Sequence, residues 1–268
     1  MKETVLEVKN LNVWFKDEDG NKKQILKNVS FELYKNEILA FVGESGSGKS
    51  ITCLSIMGLL GRNAIIEGNA YLYANGEKID LISLPESEKR KYRGDRISMI
   101  FQEPSAVLNP LLTVGEQIVE TILAHRVLPE EDAKNLAIKT MEKVRIPEPE
   151  KRFYQYPHEL SGGLKQRVAI AIGIVNNPTV LLADEPTTAL DVTVSAQILN
   201  LFTELKERLN MGILLITHDF GVVAEIADRV IVIYKGQIVE TGDVFEIFDN
   251  PKHEYTKKLL QSRLVLNL

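Results

Sequence analysis

The chain has 268 residues, 44% hydrophobic and 26% charged, with 17 Gly and 10 Pro; this is ample length for one large core and excludes disordered, fibrous and low-complexity classes. One cysteine, Cys53, and four histidines exclude an internal disulfide, a Cys-rich zinc site and an iron–sulfur cluster held by this chain alone, and they point to a reducing compartment. The net charge is -5, and the densest basic run, Lys89, Arg90, Lys91 and Arg93, follows Glu86 and Glu88, so nucleic acid is not an expected partner.

No apolar run approaches the roughly 18 to 20 residues of a membrane span. Met1 to Asn10 carries Glu3 and Glu7 without a continuous apolar segment, unlike a secretory signal, and the expected location is the cytosol.

In chain order, alternation of apolar and polar residues predicts strands over Val5–Phe15, Ile25–Tyr34 and Ile38–Val42, with a turn at Asp19-Gly20. An apolar run from Gly48 through Leu60 has helical length. Ala70–Tyr73 and Lys78–Leu81 read as a strand pair around an Asn75-Gly76 turn. Ile97–Phe101 is a further strand, Thr113–Val144 has helical periodicity broken at Pro129, and Ile146–Pro157 reads as proline-marked loop. Beyond Gly163 the pattern is helix, strand Val180–Ala183, helix Val192–Leu209, strand Gly212–Thr217, short helix, strand Arg229–Tyr234. Strands separated by helices imply parallel pairing. A Lys235-Gly236 turn, a strand to Thr241 and helical patterns over Val244–Phe248 and Glu254–Leu264 complete the chain, which has no internal repeat.

Gly43-Glu44-Ser45-Gly46-Ser47-Gly48-Lys49-Ser50 fits the phosphate-loop pattern and falls between an expected strand and an expected helix, the context that gives the pattern meaning. Glycines let backbone N–H groups curl around phosphate oxygens, the helix start adds its positive end, Lys49 neutralises the outer phosphates and the Ser50 hydroxyl suits Mg2+. A nucleoside triphosphate is the implied ligand. Val180-Leu-Leu-Ala-Asp184-Glu185 is an apolar strand ending in two carboxylates. Asp184 would hold Mg2+ directly or through water, and Glu185 would polarise an attacking water. His218, after the Gly212–Thr217 strand, would reach a γ-phosphate; Gln102, after the Ile97–Phe101 strand, would sense water or Mg2+. The remaining histidines, His125, His158 and His253, read as loop or capping residues. Leu160-Ser161-Gly162-Gly163 precedes a helix and offers a hydroxyl and free N–H groups, a second phosphate-binding edge.

The order of these segments, with Ala189-Leu190-Asp191 between the acid pair and His218, resembles the nucleotide-binding subunits of ATP-binding cassette transporters from about Leu6 to Leu260. Phe101-Gln-Glu-Pro-Ser-Ala-Val-Leu-Asn-Pro110, Glu185-Pro-Thr-Thr-Ala-Leu-Asp191 and Asn250-Pro-Lys-His-Glu-Tyr-Thr256 further resemble the dipeptide/oligopeptide importer subfamily. The resemblance implies an α/β fold: a RecA-like phosphate-loop core over 37–65, 83–102 and 164–242, an antiparallel β subdomain over 1–36 and 66–82, and a helical insertion over 103–163. A cassette over 1–250 would be followed by a short helical tail, 251–268, without the Cys-rich extension of many relatives, so the chain is expected to be a short member or a truncated one.

It also implies ATP and Mg2+ as ligands and ATP hydrolysis that drives transport. Phe15 would stack on adenine in preference to Trp14, which strand alternation turns to the other face. Asp191 would communicate between paired sites and Gln102 would link Mg2+ to the membrane partner. Ser161, Gly162 and Gly163 would grip the γ-phosphate bound by a second, identical or paralogous cassette. Ile51 departs from the hydroxyl residue common there, leaving its backbone N–H. The implied partners are two permease subunits and, indirectly, an extracytoplasmic binding protein, at the cytoplasmic face of the inner membrane. Oligosaccharide or nickel import are alternative cargoes within the subfamily. A soluble cassette ATPase acting on DNA or ribosomes is disfavoured by the lack of coiled-coil insertions, zinc modules or a second cassette, and a binding-only regulator by the presence of Glu185 and His218.

Overall fold

The computed structural model describes residues 2–264; positions 265–268 of the expected tail lie outside the described residues. Two sheets organise it. The first pairs β1 (Thr4–Lys16) with β2 (Lys22–Tyr34) and β4 (Ala64–Ala74), with β5 (Glu77–Asp80) at the edge, all antiparallel in the order β2-β1-β4-β5. Strand β4 starts at Ala64, so the boundary expected between 65 and 66 separates its first two residues from the rest of the strand.

The second sheet contains β3 (Ile38–Val42), β6 (Ile97–Ile100), β7 (Val180–Asp184), β8 (Gly212–Thr217), β9 (Arg229–Tyr234) and β10 (Gln237–Asp243), in the order β10-β9-β3-β8-β7-β6. All neighbours are parallel except β10, which returns antiparallel to β9. Strands β3, β6, β7 and β8 are buried at every position, which explains their near-continuous Val, Ile and Leu content: a parallel sheet covered on both faces has no polar side.

Alternation divides these side chains among packed layers. Leu39 and Phe41 of β3, Leu182 of β7 and Leu214 of β8 pack with the antiparallel sheet residues Leu6, Leu26 and Leu33. Leu181, Ala183, Ile213 and Leu215 face α4 (Val114–Leu123), α5 (Glu130–Lys143), α7 (Gly162–Ile174) and α8 (Val192–Leu209). Ala40 and Val42 face a third layer with Phe220 and Val223 of α9 (Phe220–Ile226), Ile247 of α10 (Val244–Asp249) and Tyr255 of α11 (Glu254–Leu264). At about 25 cal/mol per Å² of apolar surface, such shared burial is the main stabilisation.

Several local elements depart from the sequence reading. Helix α1 (Lys49–Met57) stops early because Gly58 adopts φ 63° and its N–H closes onto Ser55 and Leu54 carbonyls, a left-handed C-cap. The charged run Glu86–Tyr92 forms helix α2, with acids in the first turn and bases in the last, complementary to its dipole. Pro104–Val107 adds a helical turn, α3, and the expected loop from Ile146 holds another, α6 (Pro149–Arg152), then a 3-10 turn at Pro157–Glu159. Among the described residues no helix is long and apolar enough to cross a membrane.

Candidate nucleotide-binding site

Register brings the site together. Val42 lies beside Thr217, Asp184 beside Ile216, and Ile100 beside Ala183. The segments that follow these strands, beginning at Gly43, Phe101, Glu185 and His218, therefore emerge at one carboxyl edge, where open α/β sheets bind ligands.

The Gly43–Ser50 loop turns sharply from β3 into α1. Gly46 and Gly48 have φ of 77° and 110°, values costly for residues with a Cβ, and a Cβ on Gly43 would run into the Ile233 carbonyl oxygen. Lys49 is buried, and its Nζ donates to the carbonyls of Gly43 at 2.7 Å and Glu44 at 2.9 Å. Burial lowers its pKa, opposed by the charges of Glu185, Asp184 and Glu44. Ser47 Oγ is buried without a hydrogen-bond partner among the described residues, an orphan polar atom inside the loop. Cradle, buried ammonium and orphan hydroxyl fit an anionic ligand.

Across the cleft, Ser50 Oγ donates to Asp184 Oδ1 at 3.0 Å. Burial raises the Asp184 pKa despite that bond. A buried carboxylate beside a hydroxyl is a hard oxygen donor set that fits Mg2+. Glu185 adopts φ 45°, with its N–H donating to Ile216 O at 3.0 Å. Its Oε2 accepts from Thr188 Oγ1 at 3.0 Å and Gln102 Nε2 at 3.4 Å and stands 3.1 Å from His218 Nδ1. Three side chains from three segments thus converge on one carboxylate.

The cleft has a volume of about 560 Å³ and is lined by Gly43 to Gly46, Gly48 to Ile51, Gln102, Glu185 and His218, joined by Ile25, Thr188, Phe220 and Leu259. The last four were not singled out from the sequence. Thr188 and Phe220 carry a local signal, lying three residues after Glu185 and two after His218; Ile25 and Leu259 approach from distant segments. Gly236 was also read only as a turn, yet its N–H donates to Ser47 O at 3.0 Å and its carbonyl accepts from Lys27 at 2.8 Å.

The remaining expected residues lie outside that lining. Phe15 is half-buried against the core under the antiparallel sheet and pairs with Lys23, two positions along β2 from Ile25. Ser161 is exposed and N-caps α7, accepting from Leu164 N at 3.4 Å. Gly162 beside it is exposed too, whereas a Cβ on Gly163 would meet Val194 Cγ1 at 2.8 Å. Asp191 is exposed and N-caps α8 through Val194 N at 2.9 Å.

A cleft of this construction places the chain among phosphate-loop nucleoside triphosphatases. Residues 26–188 match the family model described as ABC transporter. The chain is 50% identical over 258 residues to the oligopeptide transport ATP-binding protein OppD of Bacillus subtilis (strain 168), covering 96% of this chain and 71% of that one. It is likewise 50% identical over 261 residues to the dipeptide transport ATP-binding protein DppD of Lactococcus lactis subsp. cremoris (strain MG1363), covering 97% and 74%. Among solved structures, the dimeric post-hydrolysis state of the ATP-binding cassette MJ0796 bound to ADP and Pi matches with TM-score 0.77 at 30% identity, over 89% of this chain and 98% of that one. CbiO1 from Clostridium perfringens matches with TM-score 0.76 at 26% identity, over 100% and 96%. The chain belongs to the ABC transporter family, as an ATP-binding subunit with the family's α/β ATPase fold.

Proposed function

We propose that the chain is the motor of an importer of dipeptides or oligopeptides, acting as a pair of cassettes at the cytoplasmic face of a membrane, under two permease subunits fed by an extracytoplasmic binding protein. The cargo reading is supported by its relatives, which are oligopeptide and dipeptide transport ATP-binding proteins. Pairing is supported by Ser161 and Gly162, exposed at the start of α7 and so available to a γ-phosphate held by the other copy. Within one copy, Lys49 would leave its two carbonyls for the outer phosphates, loop amides from Gly46 to Ile51 would bind the inner ones, and an adenine entering over Ile25 would come beside Phe15. Ser50, Asp184 and Gln102 would hold Mg2+, which when bound supplies charge neutralisation on the phosphates.

The observation that carries the hydrolytic reading is the convergence of Gln102, Thr188 and His218 on Glu185 Oε2. A carboxylate so oriented takes a proton from the attacking water, and His218 and Gln102 keep it aimed. Asp191, capping α8 beside Gly163's neighbour Val194, would couple the two sites of a pair.

In Glu185→Gln, hydrolysis is expected to fall by roughly 10^2 to 10^4-fold with ATP binding retained, as for loss of a general base; undiminished turnover refutes the assignment. Cargo is tested in the reconstituted complex, where binding protein loaded with peptide should stimulate ATP turnover. Stimulation by nickel or an oligosaccharide in place of peptide would overturn the cargo and leave the motor.

A further inference from the structure

We propose that Tyr255, in the tail helix α11 (Glu254–Leu264), is a positioning residue for nucleotide binding: its hydroxyl accepts the Glu44 N–H and holds the entry of the phosphate loop in its binding shape. The bond is 3.0 Å long and spans 211 positions of sequence. It acts on a particular peptide plane. The Gly43 carbonyl of the Gly43–Glu44 peptide accepts from Lys49 Nζ at 2.7 Å, and the N–H of the same peptide donates to Tyr255. Lys49 and Tyr255 therefore pin opposite ends of one peptide. When Lys49 turns to a phosphate, Tyr255 is the grip that remains.

The tail is seated for this work. Glu240 of β10 accepts from the N–H groups of Lys252 at 2.7 Å and His253 at 3.0 Å, fixing the start of α11, and His253 Nδ1 accepts from Tyr255 N at 3.1 Å. The Tyr255 ring is 8% exposed, lies 4.1 Å from that of Tyr234, and packs in the layer that contains Ala40 and Val42 of β3. One turn further on, Leu259 lines the nucleotide cleft itself. Burial also raises the Tyr255 pKa.

This inference rests on the reading of the Lys49 loop as the nucleotide site, and the experiment separates the two. In the full chain, Tyr255→Phe keeps the ring and removes only the hydroxyl. It should weaken MgADP binding and raise the ATP KM by about 3- to 10-fold, the scale of one net hydrogen bond, with kcat within about twofold and little change in melting temperature. Glu240→Ala, which frees the helix start, should move KM in the same direction. A lower melting temperature with unchanged KM makes Tyr255 a packing residue only and overturns the proposal, as does unchanged affinity in Tyr255→Phe when Lys49→Ala no longer binds MgADP. Undiminished MgADP binding by Lys49→Ala would instead overturn the site reading.

Discussion

His218 Nδ1 lies 3.1 Å from Glu185 Oε2, although 33 positions separate them and they follow different strands. The histidine is exposed while the carboxylate is largely covered, so the imidazole closes the open side of the acid. His218→Ala should leave MgATP affinity within about threefold and cut phosphate release by about 10^2-fold or more, within the range for a lost acid–base partner. Single-turnover phosphate release at saturating ATP measures this, and a rate equal to the parent's would remove His218 from the hydrolytic machinery.

Asp184 gives a pH prediction with a definite sign. Burial raises its folded-state pKa. A carboxyl raised on folding contributes stability that is fully present below its unfolded pKa, near 4, and is lost as pH rises through the raised value. Above that window, nucleotide-free Asp184→Asn should melt higher than the parent, by roughly 2–4 °C per kcal/mol of relieved burial, while the Mg2+ dependence of ATP binding is lost. A lower melting temperature at pH 7 would contradict the sign.

Ser161→Asp separates pairing from nucleotide binding. Aspartate is as good an N-cap as serine, so α7 keeps its start, but a carboxylate would now face the partner's γ-phosphate. In a Glu185→Gln background with ATP, light scattering should report a monomer where the parent background gives a dimer, with per-chain ATP affinity within about twofold. Persistence of the dimer would rule out the exposed α7 start as the trans contact.

Gly236 joins the β9–β10 turn to both the phosphate loop and β2. It has φ 79°, and an added Cβ would strike the Ile25 carbonyl oxygen. Gly236→Ala should cost at least about 2 kcal/mol, as strain and clash coincide, seen as a melting temperature lower by roughly 4–8 °C, together with weaker MgADP binding. Parent-like stability would mean that the turn relaxes without moving Ser47.

What the sequence made legible was contiguous. Gly43 to Ser50, Asp184-Glu185 and Ser161 to Gly163 each carry their chemistry within a few residues, and the fully apolar strands before them announce a buried parallel sheet. Less visible were contacts made across the fold. Ile25 and Leu259 reach the cleft, and Gly236 and Tyr255 the backbone of its phosphate loop, from segments whose local patterns read as strand, turn and amphipathic helix, and no spacing rule links them to Lys49. Helix α2 was hidden for another reason: Glu86–Tyr92 is so charged that it has no apolar stripe, and it stands on dipole-complementary ends and the Arg93–Glu86 ion pair. Phe15 rests on its position in the family resemblance, and strand alternation serves only to turn Trp14 to the other face.

Strand β3 sends Leu39 and Phe41 into the layer beneath the antiparallel sheet, Ile38 toward the helical side, and Ala40 and Val42 toward the tail. Five consecutive residues thus answer to three separate packings, and the next residue is Gly43. A defect or a load arriving from any of these quarters is delivered to the same short rod, at whose tip the triphosphate is to be gripped. The strand works as a common axle, and a load on the helical layer and a tail settling on the other side would be felt at a single point.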